Sequence, residues 1–275
     1  MQTFTAQDIS CFRGVCETME DLLVRAPVYD RGEWQAQKNL PPEQRTRELT
    51  QVVLNMRMDP TIDRVQQFVE PNLPWAEDHF QERVSGVPHN PPPSVKWWPY
   101  AQSGHAAHTN DARFSHTYPE RFWPRAIMPQ YGIRFRPGDL NDVVQVLKNN
   151  ERSRQAFLPV WFPEDIAAAV EGQRVPCTIG YHFLVTDDGL NITYQIRSCD
   201  YTRHFRDDVY MAIRLAQWMS DALSFYDLGL AKLKLGWLQM VIGSFHIFDG
   251  DVGALNYKRN HRGAATSARL MEALG

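Results

Sequence analysis

The segment from Cys177 to Arg197 constrains this chain more than any other. Cys177-Thr-Ile-Gly-Tyr-His-Phe-Leu-Val and Leu190-Asn-Ile-Thr-Tyr-Gln-Ile-Arg are runs rich in β-branched and aromatic residues, and they flank Asp187-Asp188-Gly189. Such runs around an Asp-Gly pair specify an antiparallel hairpin, because glycine supplies the positive φ that a tight turn needs. With the turn centred on Asp188-Gly189, pairing sets Cys177 opposite the Arg197–Asp200 end of the return strand. A thiol beside a guanidinium is then a local consequence of the hairpin. The guanidinium favours the thiolate, so Cys177 is expected to be a nucleophile with a depressed pKa. The competing reading is a buried, inert thiol, and Cys11, Cys16 and Cys199 are assigned to it.

Other elements follow from apolar spacing. Residues 1–40 read as helix and connector, with Asp8 as a cap and Phe12, Val15, Met19, Leu22 and Leu23 at helical intervals. Ile62, Val65, Phe68 and Val69, then Trp75, Phe80 and Val84, give two helical pieces separated by Pro71 and Pro74. Gly138 to Lys148 is an amphipathic helix started by Asp139 or Asn141. Arg154 to Phe162 is a buried strand candidate. Asp207 or Asp208 begins a long helix through Leu223, and Leu235 to Phe248 is a last strand. Residues 86–128 show little periodicity but hold Trp97, Trp98, Tyr100, Phe114, Tyr118, Phe122 and Trp123, which favours an ordered functional loop. Helices alternating with strands and a hairpin indicate an α/β (α+β) fold, a mixed sheet covered by helices. A chain of 275 residues with 43% hydrophobic content can form one domain, 1–275.

Composition removes several function classes. A net charge of −3 leaves no broad basic field for a nucleic-acid backbone. The most apolar stretch, Leu223 to Gly243, is interrupted by Asp227, Lys232 and Lys234, so no membrane span is expected. The amino-terminal residues lack a basic region followed by an apolar one, and the four cysteines form no CxxC or Cys/His zinc pattern. The expectation is a cytoplasmic protein with free thiols and no metal. His105, His108 and His116 raise a metal-hydrolase alternative, but no acidic partner stands at ligand spacing.

Several motifs occur in an order that resembles the thymidylate synthase superfamily. They are Val175-Pro-Cys-Thr, Tyr194-Gln-Ile-Arg-Ser-Cys-Asp, Phe205-Arg-Asp-Asp and Gly243-Ser-Phe-His-Ile-Phe, preceded by Glu151-Arg-Ser-Arg-Gln with Leu158-Pro-Val-Trp, Ser115-His-Thr-Tyr118 and Trp75-Ala-Glu77. The likeness spans roughly residues 45–250 and is strongest from 140. It implies a homodimer with shared active sites, a pyrimidine-nucleotide substrate and 5,10-methylenetetrahydrofolate as co-substrate. It implies that Cys177 adds to C6, that Arg197, Ser198 and Asp200 bind the nucleotide, and that Arg154 reaches the phosphate of the neighbouring subunit. Glu77 would organise proton transfers, Tyr118 would serve proton abstraction at C5, and His246 would contact the sugar. Trp97 and Trp98 would face the folate. Arg45 and Arg47 compete for the amino-terminal phosphate arginine.

The departures narrow the likeness. Asp208 stands where the family's synthases place a base-reading asparagine. A protonated carboxyl accepts from the amino group of cytosine and donates to its N3, the reverse of what uracil requires. Asp207 is left to cap the helix. The resemblance is thus to deoxycytidylate and cytidylate 5-hydroxymethylases, which share the Cys-Thr pair seen at Cys177-Thr178. Gln155, Ile196 and Phe248 replace a phosphate arginine, a glutamine and a sugar-binding tyrosine. The expected activity is 5-hydroxymethylation of a cytosine nucleotide. Alternatives are 5-methyl formation, thymidylate synthesis and a nucleotide-binding homologue without turnover.

Overall fold

The structure, a computed structural model, describes residues 1–34, 37–99, 113–124, 138–225 and 233–261. Its centre is a mixed seven-stranded sheet. Strands β1 (Gln2–Ala6), β5 (Thr46–Arg57), β9 (Leu235–Phe248), β8 (Gly189–Asp200), β7 (Thr178–Thr186) and β6 (Phe157–Pro159) follow one another across it, and β2 (Val28–Tyr29) pairs with β5. β3 (Glu33–Trp34) and β4 (Gln37–Lys38) form a separate ribbon.

The hairpin forms as its sequence demands, with one shift. Thr186 pairs with Gly189, so the turn centres on Asp187-Asp188 rather than Asp188-Gly189. Gly189 keeps its positive φ of 113°, and a Cβ there would run into the carbonyl of Lys234. The strand expected over Arg154–Phe162 is only Phe157–Pro159 long. The first 40 residues include β1 as well as helix α1 (Phe12–Arg25), and Asp8 caps a 3-10 turn ahead of it. β5 carries no clean alternation between residues 48 and 52, which hides it from a period-two reading.

One sheet face is apolar. Leu54, Met56, Ile192, Tyr194, Ile196, Met240 and Ile242 are buried there, and α1 and α7 (Phe205–Phe225) pack on the sheet. At about 25 cal/mol per Å², burial of this kind dominates folding. α2 (Ile62–Val69), α3 (Trp75–Val84), α4 (Tyr118–Phe122), α5 (Leu140–Asn149) and α6 (Glu164–Val170) are further helices among the described residues, and residues 252–261 are also helical. The α5 cap is Asp139, in a reciprocal capping box with Asp142. The 86–128 segment contains a 3-10 turn over Pro93–Trp97 and α4, whose Thr117 and Glu120 form another capping box. Tyr100, His105 and His108 lie outside the described residues.

β8 and β9 run parallel, pairing Ser198 with Ser244 and Asp200 with His246. Their carboxyl ends, the start of α7 and one side of α3 therefore meet at a single edge of the molecule. No helix among the described residues is long and apolar enough to cross a membrane.

Candidate active site

A cavity of about 250 Å³ opens where these elements meet. Cys177, Tyr118, Asp208, Ser198, Asp200, His246 and Trp98 all border it. Seven side chains selected along 149 residues of sequence share one space, because the parallel pair, the hairpin end and the first turn of α7 end together.

Cys177 sits just ahead of β7, opposite the far end of β8, and its carbonyl accepts from Arg197 N at 2.9 Å. Arg197 Nη2 lies 3.9 Å from its Sγ. That guanidinium also donates to the carbonyls of Pro176 and Val175, bracing the loop that carries the thiol. Its side chain is exposed and does not itself border the cavity. The expected depression of the thiol pKa is not found: burial pushes it up, and Asp208 and Asp200 add to that against the pull of Arg197 and Arg174.

Thr178 is buried and joins three hydroxyls. Its Oγ1 donates to Tyr118 Oη at 3.2 Å and lies 2.9 Å from Tyr194 Oη, which donates to Asp208 Oδ1 at 3.4 Å. A polar chain thus runs from Tyr118 to Asp208 through the core edge. The Arg83 guanidinium lies 4.1 Å from the centre of the Tyr118 ring. Burial nevertheless raises the Tyr118 phenol well above its ordinary pKa.

Asp208 borders the cavity yet is surrounded by protein. Burial pushes its carboxyl up to about 7, with Asp207 reinforcing and Arg83, Tyr194 and Cys199 opposing. Asp207 does not cap α7. It accepts from Asn72 N at 2.7 Å and Asn72 Nδ2 at 2.8 Å, tying the loop after α2 to the start of α7. Asp200 is held by Thr202 and Arg203, and Arg203 also pairs with Asp251.

Glu77 does not border the cavity. It takes a two-pronged ion pair from Arg214, at 2.9 Å on each oxygen, plus a bond from Tyr210 at 2.7 Å. These partners outweigh burial and hold its pKa down to about 2. The residues of α3 that do face the cavity are Trp75, His79 and Arg83, four apart and hence on one side of the helix. Trp97 is exposed and bonded to Asp78, whereas Trp98 borders the cavity and stacks near Trp75 and His204. Arg45 pairs with Asp30, Arg47 with Asp249, and Arg154 is exposed, so none of the three reaches the cavity within one chain.

His79, Arg83, Arg174, Arg203 and His204 also border the cavity and were not singled out by sequence reasoning. The four-residue spacing from Trp75 and the position of Arg174 three residues before Cys177 are the signals that could have marked them. His116, considered as a metal ligand, borders the cavity, and burial holds it down to about 3. No cluster of His, Cys, Asp or Glu with metal-holding geometry occurs among the described residues.

Residues 134–270 match the model of the thymidylate synthase family. That stretch, just under half of the chain, is similar to the thymidylate synthase family. Over 126 residues the chain is 30% identical to a candidate thymidylate synthase of Methanococcoides burtonii, an alignment covering 44% of this chain and 53% of that protein. Over 117 residues it is 30% identical to a bifunctional dihydrofolate reductase-thymidylate synthase of Paramecium tetraurelia, covering 42% of this chain and 23% of the other. The matched part therefore spans about half of one curated relative and about a quarter of the other. Cys177, Asp208 and His246 fall inside the matched stretch, while α3, Trp98 and Tyr118 precede it and close the cavity from the other side.

Proposed function

We propose that this protein is a pyrimidine-nucleotide C5 one-carbon transferase that converts cytidylate or deoxycytidylate to the 5-hydroxymethyl nucleotide. The observation that carries the reading is Asp208 sharing a cavity with Cys177, its carboxyl proton retained up to about pH 7. A protonated carboxyl offers one donor and one acceptor in a plane, which fits N3 and the 4-amino group of cytosine and strands both groups against uracil.

In this reading the Cys177 thiolate bonds to C6 and places electron density on C5. Arg197 and Arg174 offset the cost of forming that thiolate, and a bound phosphate near Ser198 would occupy the same positive rim. The Tyr118–Thr178–Tyr194–Asp208 chain of hydroxyls provides a path for the proton that leaves C5. Methylenetetrahydrofolate would supply the one-carbon unit, and the flat faces of Trp75 and Trp98 along the cavity wall suit a fused ring. His246 and Phe248 at the end of β9 stand where the sugar would lie. Water addition at the transferred carbon yields the hydroxymethyl group, and departure of Cys177 restores the ring.

Arg154 and Gln155 are exposed beside β6. Ile179 and Val241 are exposed on strands, and Trp237 and Gln239 are half-buried on the sheet face opposite α7. A homodimer packed through that face would bury it and carry Arg154 toward the second cavity.

The raised Cys177 pKa favours one rival, a nucleotide-binding homologue that never forms the thiolate. Mass spectrometry of products from CMP, dCMP, UMP and dUMP, each with methylenetetrahydrofolate, separates the readings. A 5-hydroxymethyl product from a cytosine nucleotide is expected. A methyl product, a preference for uracil, or binding without turnover would each overturn the assignment.

A further inference from the structure

α3 turns toward the cavity a histidine to which the proposed reaction has so far given no role. His79 is buried, and its ring is stacked on Trp75 with centroids 5.1 Å apart and planes 15° from parallel. Its Nδ1 lies 3.3 Å from Glu82 Oε2 and 3.2 Å from Ser94 Oγ. Glu82 is fixed from the other side: Ser94 N donates to Oε1 at 2.6 Å and Ser94 Oγ donates to Oε2 at 2.6 Å. Burial opposes ionisation of Glu82, but the bonds from His79 and Ser94 outweigh it and lower its pKa. An ionised carboxylate only accepts, and the Ser94 hydroxyl has given its proton to that carboxylate. Nδ1 must therefore carry the ring hydrogen, which leaves the lone pair on Nε2. Burial, with Arg83 and then His204 adding to it against the pull of Glu82, holds the imidazole down to about 4, so it is unprotonated at neutral pH and able to accept a proton. A carboxylate that orients an imidazole and stabilises its cation is the arrangement of an effective general base.

We propose that His79 is the base that activates water in the last half of the reaction. The inference rests on the hydroxymethyl reading above. After C5 has received the one-carbon unit and lost its proton, the CH2–N bond breaks and tetrahydrofolate leaves with its electron pair, so the ring carries an exocyclic methylene at C5 and sulfur at C6. Nε2 of His79 takes a proton from water as the oxygen bonds to the methylene carbon. The electron pair of the C=CH2 bond moves into the ring, the C5=C6 bond re-forms, and the C6–S bond breaks with the pair returning to Cys177. The proton on His79 then passes to solvent, so no oxidant or reductant is consumed. Glu77, on the same helix but directed at Arg214, is not available for this task.

The test uses the full chain with CMP and dCMP tritiated at C5. Tritium release reports every step up to loss of the C5 proton, and mass spectrometry reports the hydroxymethyl product. His79→Gln is expected to release tritium within about threefold of the parent rate while product formation falls about 100-fold. Added 2-mercaptoethanol should then capture the methylene as a thioether. His79→Gly should regain product formation with free imidazole, a rescue that a packing role does not allow. Product formation by His79→Gln at the parent rate overturns the proposal, and so does equal loss of tritium release and product without imidazole rescue. A parent enzyme that forms methyl product overturns it while leaving the cytosine reading in place. A parent enzyme that releases no tritium takes down the catalytic reading itself.

Discussion

Replacing Asp208 with Asn puts an amide where the carboxyl stood, and an amide oriented with its carbonyl toward N3 and its NH2 toward the C4 substituent offers the pattern uracil requires in place of that for cytosine. Each polar group stranded in a closed site costs about 1–3 kcal/mol. Two such groups are at stake, so the preference for cytosine over uracil should shift by about 3 kcal/mol or more, roughly two orders of magnitude in the kcat/KM ratio. The assay is C5 tritium release from CMP, dCMP, UMP and dUMP at saturating folate. Asp208 also titrates where its neighbours place it, at about 7 against an ordinary 3.8. The protonated form is the one that donates to N3, so parent activity on cytidylate should fall as pH rises through 7, and Asp208→Asn should lack that limb. The same span has a stability consequence. An acid whose pKa is higher folded than unfolded stabilises the fold when protonated, fully below about pH 4, and loses that contribution as pH rises toward 7. The whole span is worth at most about 4 kcal/mol. Cavity solvent screens part of it, leaving about 2 kcal/mol by which Asp208→Asn should gain on the parent between pH 4 and 7. An unchanged base preference in the variant, with native melting behaviour, would refute the role given to Asp208.

Cys177→Ser should bind the nucleotide and lose all turnover, with no tritium release and no covalent adduct by mass spectrometry; retained turnover would remove the thiolate from the mechanism. Arg214→Ala leaves the Glu77 carboxylate without its two-pronged partner and should cost about 3 kcal/mol in urea unfolding. Glu77→Gln should lower stability while leaving kcat within about threefold, since Glu77 does not border the cavity. Thr178→Val removes the link between Tyr118 and Tyr194 and should slow tritium release about tenfold, an effect of about 1.4 kcal/mol. Arg174→Ala should raise KM for the nucleotide while leaving affinity for the unphosphorylated nucleoside unchanged, and a parallel loss for both would place Arg174 away from the phosphate.

The last strand, the hairpin and most helices were legible because each rests on a short-range pattern. Leu235–Phe248 and the paired runs around Gly189 announce themselves through alternation and turn chemistry, and Asp139 fixes the start of α5 through its own side chain. β5 escaped because its buried side chains do not alternate through residues 48–52. That Cys177 lies near the Arg197–Asp200 end of the return strand was also within reach from the hairpin, but its pairing with Arg197 depends on a shift of register between Thr178 and Gly180 that the turn does not announce.

What the tertiary structure alone decided is which face each helix gives to the cavity and what burial does to charge. Trp75-Ala-Glu77 marked a helix that borders the cavity through Trp75, His79 and Arg83 rather than through Glu77. Two residues after Glu77, His79 borders the cavity, while Glu77 is drawn to Arg214, 137 positions away. The ordering of motifs gave no sign that Cys177 would be raised rather than lowered in pKa, because that balance depends on how much protein surrounds the sulfur. Asp208 shows both sides at once. Its identity was set by the sequence, but its proton is held near neutral pH only because the fold closes around it, and removing water from a carboxylate is an effect no linear pattern contains.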